Sequence, residues 1–350
     1  MPAASTRFSG ERQRIVDRLF PGGIPTLWCP PLTHYDERGA LDRERMRAHL
    51  RSMQPWVKGF LVPGSTGEGW DMSPEEAGAV VDLLVDEVAA VGGNLLVGVL
   101  ARTVDDVLRR VEETMAWLRR RTGERDPLAC LARSPVRGFT VCPPAGSGLG
   151  QDAIRAGLER VLSLGVPVAL YQLPQVTGNE MSPQTVAALA ARFPAFFLLK
   201  DSSGGDRVAA AGFREAFLVR GAEGGYASHL VEAGGRYDGF LLSTANCFAR
   251  QLGGMIEDLR AGRKEEAEAI SRRLTAVWED LFGPASEVGF GNAFANANKA
   301  MDHFLAHGPG AGALPPPLLH GGRRLPPGLV AAAGAALTRH GLMPARGYLG

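Results

Sequence analysis

Short apolar runs, each closing on a small or polar residue, recur along most of the chain and alternate with longer stretches of helical periodicity. The runs are IPTLWC (24–29), GFLVPG (59–64), LLVGVL (95–100), GFTVC (138–142), PVALY (167–171), FFLLK (196–200), AFLVRG (216–221) and GFLLS (239–243). Their residues are continuously apolar rather than alternating, the mark of parallel strands covered on both faces. Between them the helical stretches carry start signals. In MSPEEAGAVVDLL, Ser73 reads as an N-cap, Pro74 fits the first helical position and Glu76 completes a capping box; Ser182 and Pro183 repeat the device. Thr103 and Asp106 open another helix, with apolar positions at Val107, Leu108, Val111, Met115 and Leu118.

About eight strand–helix repeats are what a closed (β/α)₈ TIM barrel requires, with an open doubly wound sheet as the competitor. No GxGxxG turn follows the first strand, which disfavours the dinucleotide-binding form of that competitor. Beyond Ser243 the pattern is helical only, at 247–259, 265–281, 291–307 and 328–340, interrupted by the Gly/Pro-rich stretch 308–328, read as a surface connection. The expected organisation is an N-terminal helical lead-in (1–22), an α/β (β/α)₈ barrel (23–245) and a C-terminal helical extension (246–350).

Charge narrows the partners. Lys+Arg 38 against Asp+Glu 37 gives the 350-residue chain a net charge of +1, so no basic field is available for nucleic acid or an anionic membrane, and neither is expected as a partner. The most apolar long stretch, 77–100, is broken by Asp82, Asp86, Glu87 and the Gly92-Gly93 pair and does not read as a membrane span. The N-terminus lacks the apolar core of a signal peptide, and Cys29, Cys130, Cys142 and Cys247 form no CxxC pair; a reducing, cytoplasmic setting is the expectation.

The chain has four lysines, Lys58, Lys200, Lys264 and Lys299. Lys58 precedes a strand, Lys264 lies in the polar run RKEEAE, and Lys299 is on a helix of the tail. Lys200 alone ends a strand, on the face where barrel enzymes assemble their sites. An amine there attacks a ketone and forms a Schiff base, provided its pKa falls from about 10.4 toward roughly 7–8. The plainer alternative is a lysine packed along its stem and paired with Asp201. Tyr171 ends the neighbouring fifth strand, where a phenol can shuttle protons, or simply fill the barrel top. The turn VPGSTGEGW sets glycines around Ser65 and Thr66; with Gly67 it can present hydroxyls and backbone N–H groups to a carboxylate, or be an ordinary loop. An amine, a phenol and a carboxylate cradle at three strand ends weigh more together than any one of them alone.

Those segments, GSTGE (64–68), Y-x-x-P-x-x-T-G (171–178) and strand-ending K-D-S (200–202), with STAN (243–246), resemble the dihydrodipicolinate synthase / N-acetylneuraminate lyase family of class I aldolases and dehydratases, in order from about residue 23 to 349. The resemblance implies a barrel with three C-terminal helices in a homo-oligomer, a dimer or tetramer. It implies that Lys200 forms the Schiff base, that Tyr171 and Thr66 are catalytic, that Ser65, Thr66 and Gly67 bind the substrate carboxylate, and that Gly221 and Leu241 line the pocket. It implies no cofactor and no metal. Two departures stand out. Where dihydrodipicolinate synthases carry an arginine before T-G this chain has Val176, and where they place a relay tyrosine after the fourth strand it has Cys142, Pro143, Pro144 and Ala145. The lysine-biosynthetic reaction is therefore not expected. The leading expectation is aldol cleavage or condensation of pyruvate or a related small-molecule 2-oxo acid. The alternatives are dehydration of a 2-keto-3-deoxy sugar acid through the same imine, and a non-catalytic 2-oxo acid-binding barrel. His303 and His307 share a helix face but lack a third ligand, and read as surface residues.

Overall fold

The computed structural model describes Phe8 and residues 10–350. All eight expected strands are present: β1 (Leu27–Cys29), β2 (Gly59–Val62), β3 (Asn94–Val99), β4 (Val136–Val141), β5 (Val168–Gln172), β6 (Phe196–Asp201), β7 (Phe217–Arg220) and β8 (Gly239–Leu241). They form a closed barrel in chain order. Every residue of β1, β2, β5, β6, β7 and β8 is buried, which is why their sequences are continuously apolar. β1 is shorter than its apolar run, because the run's first residues precede the ladder.

Contacts divide the described chain into two compact units. The first holds Asn94–Ala222 and Arg236–Leu241, with the described residues up to Thr26. Its strands β3 to β8 pair in parallel, each with the next. Thr103 caps helix Val104–Thr122, accepting from the Asp106 N–H at 3.2 Å, and the helix buries Val107, Val111, Met115 and Leu118 along one stripe. Leu108, at the stripe's edge, is half-buried. The first helix, Gly10–Leu19, is tied to the start of β6 by Arg12, which donates to the Phe196 carbonyl at 2.9 Å.

The second unit holds Leu27–Gly93, Glu223–Gly235 and Leu242–Gly350. Here the Ser73 capping box is complete: Ser73 Oγ accepts from the Glu76 N–H at 3.2 Å and the Glu76 carboxylate accepts from the Ser73 N–H at 2.8 Å, opening helix Pro74–Ala90. The tail forms helices Ala245–Arg260, Lys264–Ser286, Ala293–His307 and Pro327–Arg339, joined partly by a stack of Trp278, Phe282 and Phe294. The stretch 308–328 is more than a surface connection. Leu318, Leu319 and Leu325 are buried, and a bridge pairs Leu318 with Arg324. Among the described residues no helix is long and apolar enough to cross a membrane.

Candidate active site

The β5–β6 ladder sets Tyr171 directly opposite Lys200, and the β6–β7 ladder sets Lys200 opposite Val219. Strand register alone therefore brings the amine and the phenol-bearing residue together. Lys200 Nζ lies 3.9 Å from the centroid of the Tyr171 ring, with the two residues 4% and 2% exposed. The nitrogen therefore sits against the electron-rich face of the ring rather than beside a carboxylate.

Asp201 is not the partner of Lys200. Successive strand residues face opposite ways, and its Oδ1 accepts from the Ser203 N–H at 2.9 Å and the Ser203 hydroxyl at 2.7 Å. Burial raises the Asp201 carboxyl above its ordinary range, partly opposed by Ser203. Among the described residues no carboxylate forms an ion pair with Lys200. The thiol of Cys142, at the end of β4, is pushed up by burial, and Lys200 opposes the shift.

Gly221 and Leu241 fall beside Lys200. A Cβ on Gly221 would lie 2.7 Å from Lys200 Cε, 2.1 Å from Ser202 Oγ and 3.3 Å from the Leu241 carbonyl oxygen, so only glycine leaves the lysine its place. Ser202 is itself a site residue that the sequence marked only as part of a motif. It is buried and its Oγ has no hydrogen-bond partner among the described residues. The loops after β6 and β7 are tied by Arg220, whose Nε donates to Asp206 at 3.2 Å and whose Nη1 donates to the Ala222 carbonyl at 2.6 Å. Tyr237 adds a hydrogen bond to Asp206 at 2.6 Å. After β4, Asn179 Nδ2 donates to the Pro144 and Gly146 carbonyls at 2.7 and 3.1 Å, and the Gly146 N–H donates to the Thr177 carbonyl at 2.8 Å. The segment that lacks the family's tyrosine is thus strapped to the loop that carries Val176.

Ser65, Thr66 and Gly67 lie in the loop after β2, in the second unit. Ser65 Oγ accepts from Trp70 Nε1 at 2.9 Å, and its carbonyl accepts from the Glu68 N–H at 3.0 Å and from Asn292 Nδ2 at 3.1 Å. Thr66 is 4% exposed, and its hydroxyl has no protein partner among the described residues. The Gly67 carbonyl accepts from Thr33 Oγ1 at 2.7 Å, and a Cβ there would lie 2.6 Å from the Pro31 carbonyl oxygen. Glu68 adopts φ 63°, a left-handed backbone that costs a non-glycine residue energy. Its carboxylate holds it there: one oxygen pairs with Lys299 Nζ and the other accepts from the His320 N–H at 2.8 Å. Lys299 also donates to the Leu318 carbonyl at 2.8 Å; burial lowers its pKa, with Glu68 opposing.

Of the two tail histidines, His307 is exposed as expected and His303 departs from expectation. His303 is buried, not on the surface, with Nε2 2.9 Å from the Ala311 carbonyl oxygen and its pKa pushed down by burial to about 4. The buried cluster of metal-ligand types is instead His34, His49 and Asp302. His34 Nε2 and His49 Nδ1 are 2.9 Å apart, His49 Nε2 is 2.9 Å from the Asn246 carbonyl oxygen, and Arg45 donates to Asp302 at 2.9 Å. Tyr348 completes the set, donating to Asp302 at 3.1 Å. A guanidinium already balances the one carboxylate and the imidazoles bond to each other, so these residues fit a closed hydrogen-bond network better than a cation site. Four segments distant in the chain supply it, so no local spacing could reveal it.

Comparison with known proteins agrees with the barrel fold. The profile of the Dihydrodipicolinate synthetase family matches residues 156–291. The 4-hydroxy-tetrahydrodipicolinate synthase of Methylococcus capsulatus is 30% identical over 270 residues, 75% of this chain and 84% of that protein. Among solved structures, YagE from E. coli K12, a prophage protein of the dihydrodipicolinic acid synthase family crystallised with pyruvate, superposes with a TM-score of 0.67 at 21% identity, over 91% of this chain and 99% of that one. The 2-keto-3-deoxygluconate aldolase of Sulfolobus sulfataricus, complexed with D-KDPG, gives a TM-score of 0.60 at 17% identity, over 79% of this chain and 84% of that one. The barrel, its strand-end residues and a 30% identity extending over most of a curated relative place this chain in the dihydrodipicolinate synthetase family.

Proposed function

We propose that the protein is a class I lyase that forms a Schiff base between Lys200 and pyruvate or a related 2-oxo acid, and makes or breaks a carbon–carbon bond through it. The observation that carries the reading is a buried lysine at a strand end with no carboxylate partner among the described residues, its Nζ 3.9 Å from the Tyr171 ring centroid. The Lys200 amine adds to the C2 carbonyl, and loss of water gives the imine. In the cleavage direction the C4 hydroxyl gives up a proton, the C3–C4 bond breaks to release an aldehyde, and its electron pair forms the enamine. Protonation at C3 and hydrolysis then release pyruvate and free Lys200; condensation is the reverse. Tyr171 and Thr66 manage the protons, and Ser65, Thr66 and the Gly67 N–H hold the carboxylate. Gly221 and Leu241 shape the pocket beside the lysine.

Curated relatives are named 4-hydroxy-tetrahydrodipicolinate synthases, but we assign this chain a different acceptor. Val176 is half-buried and carries no charge for a second carboxylate, and Pro144 and Ala145 supply no relay hydroxyl. The named aldolase and the pyruvate complex among the structural neighbours support cleavage or condensation. The chemistry calls for neither cofactor nor metal, and we place the enzyme in the cytoplasm as a homo-oligomer. Pyruvate consumption, followed with a panel of aldehydes including aspartate semialdehyde, tests the reading. Consumption with neutral or hydroxylated aldehydes and none above background with aspartate semialdehyde is expected; the opposite preference would contradict the assignment.

A further inference from the structure

The Ser65 hydroxyl is half committed. Its oxygen accepts a hydrogen bond from Trp70 Nε1 at 2.9 Å, and it has no other partner among the described residues. An indole N–H only donates, so the hydroxyl hydrogen of Ser65 cannot turn back to Trp70 and needs an acceptor elsewhere. Nor can the backbone swing to change this. The Ser65 carbonyl is held by the Glu68 N–H and Asn292, and Glu68 is fixed through both carboxylate oxygens by Lys299 and the His320 N–H. The result is a hydroxyl with one lone pair taken by Trp70 and its hydrogen free to donate, beside a Thr66 hydroxyl that also lacks a protein partner among the described residues.

We propose that Trp70 is a specificity-determining positioning residue: by donating to one lone pair of Ser65 Oγ it turns the Ser65 hydroxyl hydrogen away from the indole, so that the loop offers that hydrogen to a ligand and favours an anionic carboxylate over a carboxamide. A carboxylate offers acceptors on both oxygens and takes a charge-assisted bond, whereas a carboxamide offers one neutral acceptor oxygen and a weaker bond. Trp70 does not contact the substrate in this account; it acts through Ser65. The inference rests on the carboxylate role proposed above for the Ser65-Thr66 turn.

Trp70→Phe retains an aromatic ring and removes the N–H. It is expected to raise KM for pyruvate by about 3- to 10-fold, the effect of losing one oriented hydrogen bond, with a smaller change in kcat. Preference for pyruvate over pyruvamide, read as the ratio of concentrations giving half-maximal borohydride trapping at Lys200, is expected to narrow. Ser65→Ala should narrow the same ratio, and Trp70→Phe added to Ser65→Ala should change it no further. An unchanged KM and preference in Trp70→Phe overturns the inference, as does an equal loss with Ser65 already removed, which would mark Trp70 as general packing. Should Trp70→Phe not fold, Ser65→Ala decides alone, and a wild-type preference in that variant overturns the inference. Trapping in the wild-type protein separates the two levels. An adduct at Lys200 with no effect of Trp70→Phe sinks only this inference, whereas no wild-type adduct sinks the Schiff-base reading and this inference with it.

Discussion

Two of the four lysines are almost fully buried, and they are buried in opposite ways. Lys299, 1% exposed in helix Ala293–His307, meets a carboxylate, Glu68, and the Leu318 carbonyl. Lys200, 4% exposed at the end of β6, meets the face of an aromatic ring and, among the described residues, no carboxylate. A buried lysine with a complete set of partners belongs to the architecture; one without them fits the reactive role proposed for Lys200. Burial alone separates neither lysine from the other. The partner does.

The contrast predicts different losses. Tyr171→Phe should have the largest effect, lowering kcat by about 10²- to 10⁴-fold while leaving the unfolding midpoint almost unchanged, since it removes only a proton-handling hydroxyl. Gly221→Ala should follow. Its Cβ would meet Lys200 Cε at 2.7 Å, and a displaced nucleophile should cost roughly 10²-fold in kcat/KM. If Gly221→Ala retains full activity, the space beside Lys200 is not what positions the amine. Lys299→Met should instead cost about 3–5 kcal/mol of stability in denaturant unfolding, because it strands Glu68 in the interior, and Lys299→Met with Glu68→Met should recover part of the loss. A double variant no more stable than the single one would show that the pair is not the source.

The smallest effect is in pH. Burial holds the imidazoles of His34 and His303 below the ordinary histidine range, His303 at about 4. The unfolded chain takes up protons on them near pH 6.5, where the folded chain does not, so their contribution to stability is present above about pH 6.5 and lost as the pH falls from there toward 4. Denaturant midpoints measured from pH 7 to 5 should decline, and less so in His303→Gln. A midpoint flat across that range would contradict the burial of neutral imidazoles.

The eight strands were legible because parallel barrel strands are apolar throughout, and the caps at Ser73, Thr103 and Ser182 because each device is local. Lys200 and Tyr171 could be singled out because both close apolar runs, and ladder register then sets them opposite each other. Lys299 could not be told from a solvated tail lysine. Its partner is 231 positions away, and nothing in FANANKA (294–300) signals a carboxylate. His303 misled for a related reason: the surface that buries it is the Gly/Pro-rich stretch 308–328, which looks like open loop by composition yet packs through Leu318, Leu319 and Leu325. Trp70 went unnoticed because a donor's effect on a neighbouring hydroxyl is geometric.

The most direct measurement is borohydride reduction of the protein in the presence of pyruvate, followed by peptide mass spectrometry, with Lys200→Ala as the control. The account predicts one reduced pyruvyl adduct, on the peptide carrying Lys200, with Lys299 unmodified in the same digest and no adduct in the variant. A folded protein that forms no adduct with pyruvate or any longer 2-oxo acid, or forms it equally in Lys200→Ala, would contradict the assignment of Lys200 as the Schiff-base residue.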